Sequence, residues 1–199
     1  MQVINLVFED ALSEFVLLKL LHEFGNKYIH GVSYNSHGFG NIKSKINGFN
    51  EACITVPFLV LTDLDNVDCP VILIDSWFAK PIHANMIFRI AVREVESWLL
   101  ADIEGMANYL GIPENRFTAN PELLQDPKLM LMQLVRKSRR GGLKKDILPI
   151  NNNASIGPNY NGRLMEFVEN YYNIGRARER SESLNRAYIK LESFHYTAP

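Results

Sequence analysis

The stretch FLVLTDLDN, residues 58–66, decides how the chain is read. Phe58, Leu59, Val60, Leu61 and Thr62 form a nearly continuous apolar run, and the run ends in Asp63 and Asp65. Without polar alternation, such a run reads as a strand covered on both faces, the habit of a parallel sheet. A strand of that kind carries its last residues to the sheet's C-terminal edge, where open α/β sheets place their ligands. Two carboxylates one residue apart at that edge need a reason.

Working outward, VINLVF (3–8) has the same covered-strand pattern, and YIHGVSYN (28–35) and NMIFRIAVRE (85–94) read as further strands. Between the first two, Leu12, Phe15, Val16, Leu18, Leu20 and Leu21 recur at helical spacing, with Gly25 as the stop. GFGNIKSKINGFNEAC (38–53) places Ile42, Ile46, Phe49 and Cys53 on one stripe. Pro70 suits the first position of a short helix whose Val71, Ile74, Trp77 and Phe78 repeat at three and four. VESWLLADIEGMANYLGI (95–112) reads as one long amphipathic helix with Val95, Trp98, Leu99, Met106, Tyr109 and Leu110 on its apolar face. Strands alternating with helices predict an α/β fold: a four-stranded parallel sheet with helices on both faces. Beyond 112 the strand signals stop, and helical patterns remain near 127–138, 161–172 and 181–194. The expected organisation is an α/β domain over 1–111 and a helical extension over 112–199.

Composition is that of an ordinary globular chain, with 47% hydrophobic and 22% charged residues. The net charge of −1 hides an asymmetry. Residues 1–104 hold 7 Lys/Arg against 13 Asp/Glu, and residues 105–199 hold 14 against 9. An acidic half beside a basic half suits a metal site beside a polyanion-binding surface, or else reflects uneven surface charge. Cys53 and Cys69 lack the spacing of a zinc site or a disulfide framework. The start MQVINLVFED has no signal-peptide pattern, and no apolar run reaches the roughly 18 residues of a membrane span. A cytoplasmic location with no membrane partner is expected.

Carboxylates stand after three of the four strands: Glu9 and Asp10 after the first, Asp63 and Asp65 after the third, Glu94 and Glu96 after the fourth. Acids converging on one point repel each other and resist ionisation unless something compensates them. A divalent cation such as Mg²⁺ or Mn²⁺ does so, since it prefers hard oxygen ligands and is held by one or two carboxylates beside a phosphate substrate. Alone, a D-x-D is as well explained by turn formation or helix capping. Joined to Glu9, Glu94 and Glu96, it favours metal ligation.

The residues VFEDALSE (7–14), LTDLD (61–65) and IAVREVESWLLAD (90–102) resemble the Toprim superfamily, and more closely an OLD-nuclease-related, Toprim-like family of prokaryotic proteins. DPK (126–128), ILP (147–149), GPNY (157–160) and SLNRAY (183–188) extend that likeness along the chain. The resemblance implies a Rossmann-like Toprim sheet with Glu9 as acid/base or metal ligand and Asp63 and Asp65 as metal ligands. It also implies a Mg²⁺-dependent nuclease, an association with mobile-element or phage-defence loci, and a partner ATPase. OLD-type enzymes read E-G-x-x-E after the first strand, whereas this chain reads EDALSE, so Glu14 departs from the pattern.

Arg93 beside the acids either stabilises negative charge on a phosphate or neutralises Glu94 and Glu96. Arg89 would share its face and make a structural ion pair. Asp102 falls on the apolar face of its helix, where a carboxylate needs a partner such as an Arg of the extension. RKSRRGGLKK (136–145) gathers Arg136, Lys137, Arg139, Arg140, Lys144 and Lys145 around a Gly pair. It is either a mobile phosphate-gripping loop for nucleic acid or a solvated surface. The leading expectation is a Mg²⁺-dependent phosphodiesterase acting on DNA or RNA. Its rivals are a hydrolase of small phosphates or nucleotides and a non-catalytic interaction module.

Overall fold

Four strands, β1 (Gln2–Phe8), β2 (Tyr28–Asn35), β3 (Phe58–Asp63) and β4 (Met86–Ala91), pair in parallel in the order β2-β1-β3-β4. They are seen in a computed structural model that describes residues 1–151 and 153–198. With helices between consecutive strands, this is the expected α/β sheet. The centre of the sheet explains the unbroken apolar runs: Ile4–Phe8 of β1 and Phe58–Thr62 of β3 are buried without exception. The edge strand β2 leaves Ile29 and Val32 exposed.

The β1–β2 ladder slips between Ile4 and Leu6. Asn5, a buried polar residue inside β1, causes the slip. Its side-chain oxygen accepts from the Val32 N–H at 2.8 Å, in the place of a regular ladder bond. Gly31 is required beside it, because a Cβ there would collide with the same Asn5 oxygen.

Helix α1 (Ala11–His22) starts at Asp10, whose carboxylate accepts from the Ser13 N–H at 2.8 Å as an N-cap. It ends at Glu23, and Gly25, at φ +54°, opens a 3-10 turn instead of capping the helix directly. Helix α2 (Phe39–Ala52) buries Ile42 and Ile46 as its stripe predicts. Helix α3 (Pro70–Trp77) has Pro70 in its first turn, but Leu73 and Trp77 are the buried pair and Val71 is 63% exposed. In a helix this short and this apolar, spacing alone does not choose the face.

After β4 the structure departs from the reading of the sequence in three ways. The strand ends at Ala91, so Glu94 is the N-cap position of the next helix and not a strand end. The single helix expected over 95–112 is two, α4 (Val95–Ala101) and α5 (Ile103–Leu110), broken at Asp102. The Asp102 side chain accepts from the Gly105 N–H at 3.1 Å, which caps α5 and ends α4. Gly111, left-handed at φ +66°, closes α5 as the GIP signal predicts. After α6 (Pro127–Lys137), the Gly pair, for which a mobile loop is one of two readings, opens helix α7 (Gly141–Ile147). Then come α8 (Tyr160–Asn170), α9 (Ile174–Arg178) and α10 (Glu182–Ser193).

Two compact units result. One comprises residues 1–92 with 185–199, the other 93–184. This division differs from a boundary at 111/112 for a physical reason: every residue of α4 is buried, and it packs on α6, α9 and the 3-10 turn Pro121–Leu123. A helix buried all round belongs with the elements that surround it. The C-terminal stretch returns to the sheet unit, where the Tyr28 hydroxyl donates to the Leu191 carbonyl and Asn85 exchanges two hydrogen bonds with Thr197. Among the described residues no helix is long and apolar enough to cross a membrane.

Candidate active site

The strand order places a topological switch point between β1 and β3: β1 connects to β2 on one side, while β3 lies on the other. Beyond the C-terminal ends of strands at such a point, an open sheet has its crevice. Glu9 follows β1 directly, and Asp63 ends β3. The sequence-predicted Glu9, Asp63 and Asp65 are therefore brought to one place by adjacent strands.

Glu9 is held firmly. Its Oε1 accepts from the Thr62 hydroxyl at 2.6 Å and from the Asp63 N–H at 3.2 Å. Burial pushes its carboxyl above the ordinary value. The two hydrogen bonds oppose that rise, and the negative charges of Asp65 and Asp10 add to it. Oε2 accepts no hydrogen bond among the described residues. Thr62, 1% exposed, is a site residue the sequence reading missed. Its signal was a hydroxyl inside an otherwise apolar strand, since a buried polar group requires a partner.

After Asp63 the chain turns. The Leu64 N–H still donates to Ala91 at 2.9 Å, and Asp65 then adopts φ +49°. Non-glycine residues seldom occupy the left-handed region, and Asp tolerates it better than most. The backbone conformation thus keeps an exposed carboxylate beside Glu9 at some conformational cost. Asp10 is committed to capping α1, and Glu14 lies in that helix's first turn, where negative charge suits the dipole.

Hard carboxylate oxygens, one of them burdened by burial and by neighbouring negative charge, are the donor set that fits Mg²⁺ or Mn²⁺. Among the described residues no three His, Cys, Asp or Glu side chains form a ready-made metal cage. Mg²⁺ does not need one, because it is usually held by one or two carboxylates with water completing its shell.

Glu94 and Glu96 are brought together in the other unit, around Lys128. The Lys128 ammonium lies 3.9 Å from Glu94 and 3.6 Å from Glu96, and the Lys128 N–H donates to Glu94 Oε2 at 3.2 Å. Glu96 is buried and also accepts from the Tyr160 hydroxyl at 2.8 Å. Burial first, then the charge of Glu96, raises the Glu94 carboxyl above its ordinary value. Arg93 opens this unit, half-buried just before the Glu94 cap.

Asp102, fully buried, accepts from Nε and Nη2 of the Arg176 guanidinium at 2.6 and 2.9 Å, and from the Asn173 N–H at 2.7 Å. That is the structural pairing with an Arg of the extension that its position called for. Arg89 differs from expectation. It makes no ion pair among the described residues, its Nε is buried without a partner, and one of its terminal nitrogens reaches only the Arg186 carbonyl at 3.5 Å. Burial, then the charge of Arg186, lowers its pKa.

The basic run divides. Lys137, Arg139 and Arg140 line one groove, while Arg136, Lys144 and Lys145 lie on α6 and α7 outside its lining. No family model, curated protein or solved structure matches this chain.

Proposed function

We propose that the chain is a divalent-metal-dependent phosphodiesterase acting on DNA or RNA. The observation that carries this is the convergence of Glu9, Asp63 and Asp65 at the switch point of a parallel sheet, with Glu9 fixed through one oxygen. The resemblance of VFEDALSE and LTDLD to the Toprim pattern supports the same assignment.

Asp63 and Asp65, with Glu9, would hold Mg²⁺ or Mn²⁺. Such an ion supplies charge neutralisation at the phosphate and a lowered pKa for bound water. The protein's own part lies in Glu9. Thr62 and the Asp63 N–H fix Oε1, which would leave Oε2 as the ligand oxygen. Burial and the neighbouring acids raise this carboxyl in the metal-free chain, and a bound cation would offset that penalty by favouring the charged form. The turn at Asp65 keeps a second acid at the strand end instead of carrying it away along an extended chain.

The test is cleavage of supercoiled plasmid and of labelled RNA by purified protein in Mg²⁺ or Mn²⁺, with Asp63→Ala run in parallel. Metal-dependent cleavage lost in the variant is the expected result. Cleavage that survives the substitution overturns the site. Hydrolysis confined to small phosphate esters moves the protein to the rival hydrolase class. A partner ATPase, which the resemblance implies, is tested by adding it to the same assay and reading whether ATP changes the rate.

A further inference from the structure

The helical unit has a groove of about 900 Å³ lined entirely by its own residues. Its charged lining is Arg116, Lys137, Arg139 and Arg140 against Glu104 and Glu114. Glu104 is turned to Arg176 at 3.5 Å. The side chains of Arg116, Lys137 and Arg139 make no ion pair and no hydrogen bond among the described residues. Cations gathered on one concavity repel each other, and an anion entering it relieves that repulsion.

The groove is built, not incidental. Ser138, 1% exposed, donates through its hydroxyl to the Leu110 carbonyl at the end of α5 and accepts from the Arg140 N–H at 3.0 Å. That buried contact pins the turn between α6 and α7, so the residues on either side of it lie along the groove. Arg140 is anchored as well: its Nη2 donates to the Asn108 carbonyl at 3.2 Å, in the last turn of α5, where partial negative charge favours a cation. Arg116 comes from a separate 3-10 turn, Glu114–Arg116. Two chain segments distant in sequence thus bring cations to one cavity.

We propose that this groove binds the phosphodiester backbone of nucleic acid, with Arg116, Lys137 and Arg139 as the phosphate contacts and Arg140 as the fixed wall. The lining contains no aromatic side chain. A base has no stacking platform there, so contact is through phosphates and independent of sequence. That the anion is a nucleic acid rests on the phosphodiesterase reading. The cationic groove itself does not.

The test is fluorescence anisotropy of a labelled DNA duplex of about 20 base pairs, in EDTA so that cleavage plays no part, across a salt series. Wild-type protein, the double variant Arg116→Glu/Arg139→Glu and the charge-conserving Arg116→Lys/Arg139→Lys are compared after their melting curves are matched. The Glu variant loses at least about tenfold in affinity, and its slope of log K on log salt falls by about 2. The Lys variant keeps the slope. Unchanged affinity and slope in the Glu variant overturn the proposal. So does a groove that takes pyrophosphate or ATP while duplex DNA fails to bind. Should the Glu variant not fold, Arg116→Ala/Lys137→Ala reads the same slope, and an unchanged slope there is equally fatal. Binding without cleavage would sink the phosphodiesterase reading alone, and cleavage indifferent to the groove would sink the groove alone.

Discussion

The Thr62 hydroxyl reaches across from β3 to donate to Glu9 Oε1, just past the end of β1, at 2.6 Å. One buried hydroxyl thereby orients the carboxyl and restrains its tendency to stay protonated. Thr62→Val keeps the shape and removes the donor. The expected result is a loss of about 1–3 kcal/mol in stability at neutral pH, measured by urea denaturation. The acid limb of the cleavage pH profile should also move upward, because one of the two bonds that favour the charged form is gone. An unmoved limb would show that Glu9 does not titrate in the reaction.

Glu9 predicts its own pH dependence of stability. Its carboxyl lies above the ordinary value of 4.5 in the folded chain, so the native state binds that proton more readily than the unfolded one. Native stability from this group is complete below about pH 4.5 and is lost as pH rises through the folded value. Glu9→Gln removes the penalty of the charged form. In metal-free buffer the variant should melt higher than wild type at pH 8, with the gap closing as pH falls toward 4 in a thermal series. Added Mg²⁺ should raise the melting point of wild type and not that of the variant.

Asp65 holds a left-handed backbone conformation that glycine adopts freely. Asp65→Gly should relieve roughly 1 kcal/mol of conformational cost and remove a negative charge beside Glu9. Cleavage should nevertheless be lost. A variant that is both more stable and inactive marks strain kept for function. Calorimetry and the cleavage assay on one preparation check both halves, and retained activity would remove Asp65 from the site.

In the helical unit, Asp102 binds Arg176 bidentately and also takes the Gly105 and Asn173 N–H groups. Arg176→Ala leaves a buried carboxylate with its charge partner gone and should cost about 3–5 kcal/mol. Gly105→Ala should cost about 1–3 kcal/mol, since its Cβ would strike the Asp102 carboxylate and the Tyr171 carbonyl. Both are read by denaturant midpoints. Arg176→Lys should recover only part of the loss, because an ammonium cannot repeat the two-pronged contact.

The strands were legible because β1 and β3 are covered on both faces, which writes an unbroken apolar run into the sequence. Glu9, Asp63 and Asp65 were legible because they end those runs. Thr62 passed for an apolar neighbour, since its partner is distant in sequence. The break at Asp102 was hidden because the apolar pattern continues through it, and only a fold that supplies Arg176 and Asn173 makes a buried Asp a helix terminus. Helix α7 was hidden behind its Gly pair, whose low helix propensity is overridden by the burial of Leu143 and Ile147. Arg116 stood apart from the basic run, and the groove that joins them exists only in three dimensions.

The chain leaves the sheet unit after Val92 and rejoins it at Asn185. The hydroxyl of Tyr28 finds its acceptor 163 residues later, at Leu191. A ribosome therefore releases the complete helical unit before the sheet unit has its last contacts. Residues 93–184 form a contiguous piece that can condense early, while β1 to β4 wait for residues from Asn185 onward. The order of maturation runs against the order of synthesis: the part made first is sealed last, at the edge where β2 and β4 begin and not at the acidic strand ends.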